Sequence, residues 1–154
     1  MTNDLHIRTA TRADLPALLL LYDQLHPDGP ALSMQDATVI LDRFLRYDGS
    51  AVLLGFKDEA LVTSCSLVVV PNLTRGGAPY ALIENVITDA KSRKRGYGQA
   101  ILQEAVSVAW QSGCYKVMLL TGSKDRGTLR FYERAGFEQS KTGFQVRRLP
   151  VRET

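Results

Sequence analysis

The spacing of apolar residues changes from stretch to stretch along the chain, and each spacing predicts an element. "LHIRTAT" reads as a short strand from Leu5 to about Thr9. "RADLPALLLLYDQL" switches to helical spacing, with Asp14 as the expected N-cap and Pro16 tolerated in the first turn. "HPDGPAL", His26 to Leu32, carries two prolines and a glycine and is a loop. A second helix follows in "SMQDATVILDRFLRY", where Ser33 and, three residues on, Asp36 come close to a capping box; it ends before Asp48-Gly49.

From there the period becomes that of strands. "AVLLGF" (Ala51 to Phe56) and "LVTSCSLVVV" (Leu61 to Val70) flank "KDEA" as a hairpin, and "YALIENVIT" (Tyr80 to Thr88) follows the turn-rich "PNLTRGGAP". Helical spacing returns from Gly98 to about Gln111, with Ile101, Leu102, Ala105, Val106 and Ala109 on one stripe, and Ser112-Gly113 stops it. "YKVMLLT" (Tyr115 to Thr121) is a buried strand. "RGTLRFYERA" is a short helix closed by Gly136. "FEQSKTGFQVRRL" is expected to finish the chain with one or two strands around Thr142-Gly143. Strand, two helices, antiparallel meander, helix, strand, helix, strand is a mixed α/β order built on one sheet.

Composition narrows the function classes. The 154 residues suit one domain, 1–154, and the 45% apolar and 23% charged shares are those of a soluble globular protein. Sixteen acidic residues nearly balance nineteen basic ones, and basic stretches lack interleaved aromatics, so a nucleic-acid binder is disfavoured. Cys65 and Cys114 sit in apolar runs without metal-type spacing, which predicts two buried, reduced thiols and no metal site. "MTNDLHIRTA" has no apolar segment of signal-peptide type, and "LPALLLLY" and "LVVV" are too short to span a bilayer. The expectation is a cytoplasmic protein without a membrane partner.

The candidate chemistry starts at "DAKSRKRGYGQAILQEA", Asp89 to Ala105, where Lys91, Arg93, Lys94 and Arg95 run into Gly-Tyr-Gly at the mouth of a helix. Unpaired amides at a helix start, with the positive end of its dipole, bind anions, and glycines let a phosphate approach the backbone. By itself the stretch also fits a solvated basic loop with ordinary turn glycines. Among phosphate-binding designs, a P-loop needs Lys-Ser or Lys-Thr after its last glycine, and Gly98 is followed by Gln99-Ala100. A dinucleotide fingerprint needs a small residue where Ile101 stands and an acidic residue some twenty positions on, which is missing. A third spacing, Arg or Gln, two residues, Gly, one residue, Gly or Ala, fits "RKRGYG".

With that motif the sequence resembles the GNAT superfamily of acetyl-CoA-dependent N-acetyltransferases. "ALIENVITD" resembles the family's central strand, "GCYKVMLLTGSK" the strand that follows, and "TLRFYERAGF" the helix and turn with its Phe/Leu-Tyr and Gly-Phe signature. "IENV" and "GCYKV" look similar to segments of glucosamine-phosphate N-acetyltransferases. The resemblance covers Ala81 to about Phe137. It implies a single, mostly antiparallel mixed sheet of six to seven strands flanked by about four helices. It also implies acetyl-CoA as co-substrate, no metal, and transfer of the acetyl group to a primary amine of a small molecule.

Site residues follow from the same resemblance. Backbone amides from Lys94 to Gln99, thus of Lys94, Arg95, Gly96, Tyr97, Gly98 and Gln99, would hold the coenzyme pyrophosphate, with Arg93 and Arg95 as helpers. Val86, Ile87 and Thr88 would lie beside the pantetheine arm and the acetyl group. Tyr132 matches the tyrosine that acts as acid toward the leaving sulfur, although an aromatic beside Phe131 is also a core residue in many short helices. Glu84, acidic within an apolar run, is expected to be buried with a raised pKa and to serve as base; a substrate contact or a structural partner of an Arg are the alternatives. Asp125 stands where the family often has Asn and is expected to cap its helix instead. His26 and Arg75 read as surface residues with a possible reach to substrate, and Trp110 as packing. The resemblance further implies a possible homodimer through "TGFQVRRL". A protein acetyltransferase and a non-catalytic acyl-CoA-binding module remain as rival readings.

Overall fold

The computed structural model describes residues 4–149. Five strands form one sheet in chain order: β1 (Leu5–Thr9), β2 (Ala51–Lys57), β3 (Ala60–Val70), β4 (Tyr80–Thr88) and β5 (Val117–Leu119). The first four are antiparallel, and β5 runs parallel to β4. The hairpin between β2 and β3 turns on Asp58 and Glu59, both with positive φ (48° and 66°), the turn whose twist matches that of the strands.

Helices α1 (Leu15–Leu25), α2 (Met34–Phe44), α3 (Tyr97–Gln111) and α4 (Arg126–Arg134) cover the sheet. Val52 and Leu54 pack with Leu15 and Leu18 of α1 and Ala37 and Leu41 of α2 on one face. Leu53, Cys65, Leu67, Ala81 and Ile83 pack with Ile101, Leu102, Ala105 and Ala109 of α3 on the other. With both faces covered, β2 reads as an unbroken apolar run. Each fully sealed leucine, such as Leu54, Leu67 or Leu102, contributes on the order of 2 kcal/mol. Cys65 and Cys114 are buried free thiols, and burial pushes Cys65 up to about 12, an unreactive setting.

Helix ends follow local chemistry. Ser33 Oγ accepts the Asp36 amide at the start of α2. At the end of α4, the Gly136 amide donates to Glu133 O and the Phe137 amide to Tyr132 O, the paired bonds of a Schellman cap. Asp14 departs from expectation. Its carboxylate does not cap α1; it accepts the Thr11 amide (2.7 Å) and a two-pronged contact from Arg8 (2.7 Å each). Arg8 first, and the Thr11 bonds after it, hold the Asp14 carboxyl at about 2 despite its burial.

Two further expectations are corrected. Among the described residues the sheet has five strands, not six or seven, because residues 137–149 form no strand and leave Phe144 and Val146 91% and 98% exposed. Trp110 is exposed, not packed. At about 100° per residue it falls roughly 120° from the middle of the α3 stripe, so it points to solvent.

Candidate active site

The site begins where β4 changes character. From Ala81 to Ile83 it pairs on both sides, with β3 and with β5. Beyond Ile83 no β5 residue partners it, and Leu120 is exposed. The carboxyl-terminal half of β4 therefore has an open edge at the end of two parallel strands, where open α/β sheets place their ligands. On the β3 side the register jumps from Ser66↔Glu84 to Ser64↔Ile87, so Asn85 and Val86 bulge opposite Cys65. Asn85 takes φ 53°, a left-handed setting that Asn tolerates better than most residues. Neither bulge nor conformation was anticipated from the sequence.

The predicted coenzyme contacts along β4 are unequal. Val86 has no register partner and packs half-buried against the core cluster, as Phe131 and Tyr132 do. Ile87 is buried and its carbonyl accepts from Thr63 Oγ1 (3.0 Å). Thr88 shares a hydroxyl contact with Thr63 (3.0 Å), and its carbonyl accepts from Arg93 Nε (3.3 Å).

The basic loop follows at once. The Asp89 carboxylate accepts the Lys91 amide and the Ser92 hydroxyl, shaping a 3-10 turn over Ala90–Ser92. Lys94 (φ 62°) and Gly96 (φ 84°) are left-handed, which turns the chain into a concave run of amides ahead of α3. The left-handed N-cap suits glycine, which meets no Cβ penalty there. The first α3 amides have no intrahelical acceptor, no capping side chain and no acidic residue in their turn. Arg93, Lys94 and Arg95 stand exposed around them. A polyphosphate fits this donor set: unclaimed amides, a helix dipole and three cations on one rim.

Two members of the motif serve the core instead of facing a ligand. Tyr97 is 7% exposed, leaving only its backbone for an anion. A Cβ on Gly98 would lie 2.9 Å from Phe131 Cζ and 3.2 Å from Thr88 Oγ1. The second glycine thus permits α3 to sit against α4 and β4, a reading the motif by itself does not reveal. Gln99 donates through Nε2 to Arg134 O (3.1 Å), joining the same two helices.

Tyr132 lies within reach of the charge of Glu84. Tyr132 is half-buried on α4, its ring 5.0 Å from that of Phe131. Burial, and after it the charge of Glu84, push the Tyr132 hydroxyl above its ordinary pKa, so it keeps its proton at neutral pH. Glu84 itself is exposed. The burial expected for it is absent: a strand side chain stands out of the sheet plane, and the helices on that face leave this one open. Asp125 accepts the Thr128 amide (3.1 Å) and caps α4, as expected. His26 ends α1 on the surface. Arg75 is exposed with its guanidinium 5.5 Å from the Tyr115 ring.

A polar group on the α1 side went unread in the sequence. The Tyr22 hydroxyl lies beside those of Ser66 and Ser64; burial pushes it up, and the two serines pull it partly back. Ser64 Oγ is sealed from solvent and completes no hydrogen bond of standard length and angle. Ser66 stands opposite Glu84 in the ladder, on the same face. The signal was "TSCS", two serines in an apolar strand run. Among the described residues no cluster of His, Cys, Asp and Glu suits a metal ion, and no helix is long and apolar enough to cross a membrane.

Comparison with known proteins agrees with this geometry. The model of the acetyltransferase (GNAT) family matches residues 16–137. A Trypanosoma brucei brucei protein named glucosamine 6-phosphate N-acetyltransferase is 34% identical over 137 residues, spanning 87% of this chain and 89% of that one. A solved structure from Agrobacterium tumefaciens, named as an acetyltransferase with no acceptor specified, is 43% identical with a TM-score of 0.88; the match covers 93% of this chain and 99% of that one. An aminoglycoside N-acetyltransferase solved in complex with CoA shares the fold at 18% identity (TM-score 0.76), covering 94% of this chain and 95% of its own.

Proposed function

The chain belongs to the GNAT family of acetyltransferases, and on that premise we propose that it moves the acetyl group of acetyl-CoA to the primary amine of a small molecule. The observation that carries this reading is the run of left-handed turns and unclaimed amides from Lys94 into the start of α3, beside the half of β4 that lacks a β5 partner. Acetyl-CoA supplies an activated thioester. The amides from Lys94 to Gln99 hold its pyrophosphate, and exposed Arg93 and Arg95 add attraction at the rim. Val86, free of register pairing, offers its backbone near the thioester, where a pre-oriented amide stabilises developing negative charge.

Glu84 takes the proton of the incoming amine, directly or through water, from its exposed position on β4. Tyr132 retains its proton and gives it to the leaving sulfur. The acceptor approaches on the α1 side, over Glu84, Ser66 and Tyr22. The Trypanosoma relative supports an amino sugar phosphate as the first acceptor to try. We also propose that a second copy covers exposed Phe144 and Val146 and the free edge of β5. Light scattering checks it: a Phe144→Ser protein that keeps the wild-type mass ends that idea.

The deciding experiment titrates the protein with acetyl-CoA and CoA by calorimetry beside a Lys94→Glu/Arg95→Glu variant. Those side chains are exposed, so the fold is retained while the rim charge reverses. Binding lost in the variant supports the loop as the pyrophosphate site. No binding by the wild type sinks the acetyltransferase chemistry proposed for it. Thiol release across a panel of amines and a lysine peptide then separates a small-molecule acceptor from a protein one.

A further inference from the structure

Gln24 closes the last turn of α1, far along the chain from the basic loop, yet its side-chain amide grips that loop with both ends. Nε2 donates to Asp89 Oδ1 (2.8 Å), and Oε1 accepts the Ala90 amide (2.9 Å). The other Asp89 oxygen, Oδ2, accepts the Lys91 amide and the Ser92 hydroxyl, while the Asp89 amide donates to Val62 O. Asp89 is thus a hub joining α1, β3 and the turn that leads into Arg93–Gly96. Its negative charge sits immediately before a loop built for an anion, and the Gln24 contact engages Oδ1 from the α1 side.

We propose that Gln24 is a positioning residue for the coenzyme loop: its two-ended bond to Asp89 and Ala90 sets where the loop amides stand, and ties them to the helix on the acceptor side. The assignment rests on the loop being the pyrophosphate site, and it adds a link nothing in the loop motif requires. α1, which carries Tyr22, packs across β3 and β4 over the face that carries Ser66 and Glu84, and continues into the His26–Leu32 loop. A shift of the loop on binding coenzyme therefore pulls on the acceptor-side helix through one amide group, and the reverse holds by linkage.

An exchange of donor and acceptor tests it, read by calorimetric titration with CoA. Gln24→Glu keeps an acceptor for the Ala90 amide but sets a carboxylate against Asp89, and CoA affinity is expected to fall about tenfold. Asp89→Asn leaves one carbonyl to serve Gln24, Lys91 and Ser92, and affinity is expected to fall about threefold. The double variant Gln24→Glu/Asp89→Asn restores a donor opposite an acceptor, with the Asn carbonyl free for Lys91 and Ser92, and is expected to return to within about twofold of wild type. A pure charge effect predicts the opposite for Asp89→Asn, namely tighter binding of the anionic ligand. Both contacts are solvent-exposed, so melting temperatures should change little, and hydrogen exchange at the Ala90 amide should quicken in Gln24→Leu alone. Wild type that binds CoA, with Gln24→Glu unchanged or the double variant unrescued, overturns the positioning role and leaves the coenzyme site standing. Wild type that does not bind CoA overturns the site itself, and the positioning role with it.

Discussion

The two halves of β4 share one strand and one sequence run, yet they do different work. From Ala81 to Ile83 the strand is paired on both edges, and Ala81 and Ile83 are sealed in the core. From Glu84 to Thr88 it has lost β5, bulges at Asn85-Val86 and exposes Glu84. The first half shows what satisfied backbone does: it holds the sheet together and leaves nothing for a ligand. The second half shows how the same material is left open, by ending a neighbour early, and it is there that the proposed chemistry is placed.

Variants along and beside β4 break this contrast. The largest effect belongs to the paired half: Ile83→Ala leaves a cavity under α3 and should lower unfolding stability by about 3 kcal/mol in urea titration. Catalysis per folded molecule should survive, and loss of kcat beyond the loss of folded protein argues against the division. Tyr132→Phe inverts the pattern, with kcat reduced on the order of 100-fold and melting nearly unchanged. Because burial and Glu84 raise this phenol's pKa, the wild-type activity it supports should persist above the ordinary tyrosine value near 10 and then fall. A basic limb below pH 9 removes Tyr132 as the acid. The same direction means that its contribution to stability is full below that ordinary value and is lost only as pH rises past it.

Smaller effects sharpen the comparison. Glu84→Gln should cut kcat/KM at neutral pH roughly tenfold, with stability unchanged because the side chain is exposed. A rise in KM with kcat intact would reassign Glu84 to binding. At the bulge, Asn85→Val forces a β-branched residue into φ 53° and should cost about 1 kcal/mol, whereas Asn85→Gly should cost far less. Equal losses in chemical denaturation would place the penalty in the Asn side chain rather than its backbone.

Much of the architecture was legible because it is local. The hairpin at Asp58-Glu59, the Ser33 cap, the span of β4 and the Gly136 stop each depend on neighbours a few residues away. The charged turn before α3 was legible for the same reason. The misreadings were of another kind. Glu84 looked buried from its apolar neighbours, but what packs over that face of β4, from segments distant in the chain, decides whether it is covered. "TGFQVRRL" has the alternation of a strand and no partner among the described residues to pair with. Gly98 looked like room for a phosphate, and it is room for Phe131.

The order of elements, the family motif and the residue types at the site were therefore determined by the sequence itself, since period, capping and turn chemistry act over a single turn of chain. Which edge of β4 stays open, that Tyr132 feels the charge of Glu84, and that Gln24 reaches Asp89 across 65 positions were decided only by the tertiary structure. Those depend on register and packing between segments that no local pattern relates, where a shift of one residue would carry each side chain to the opposite face.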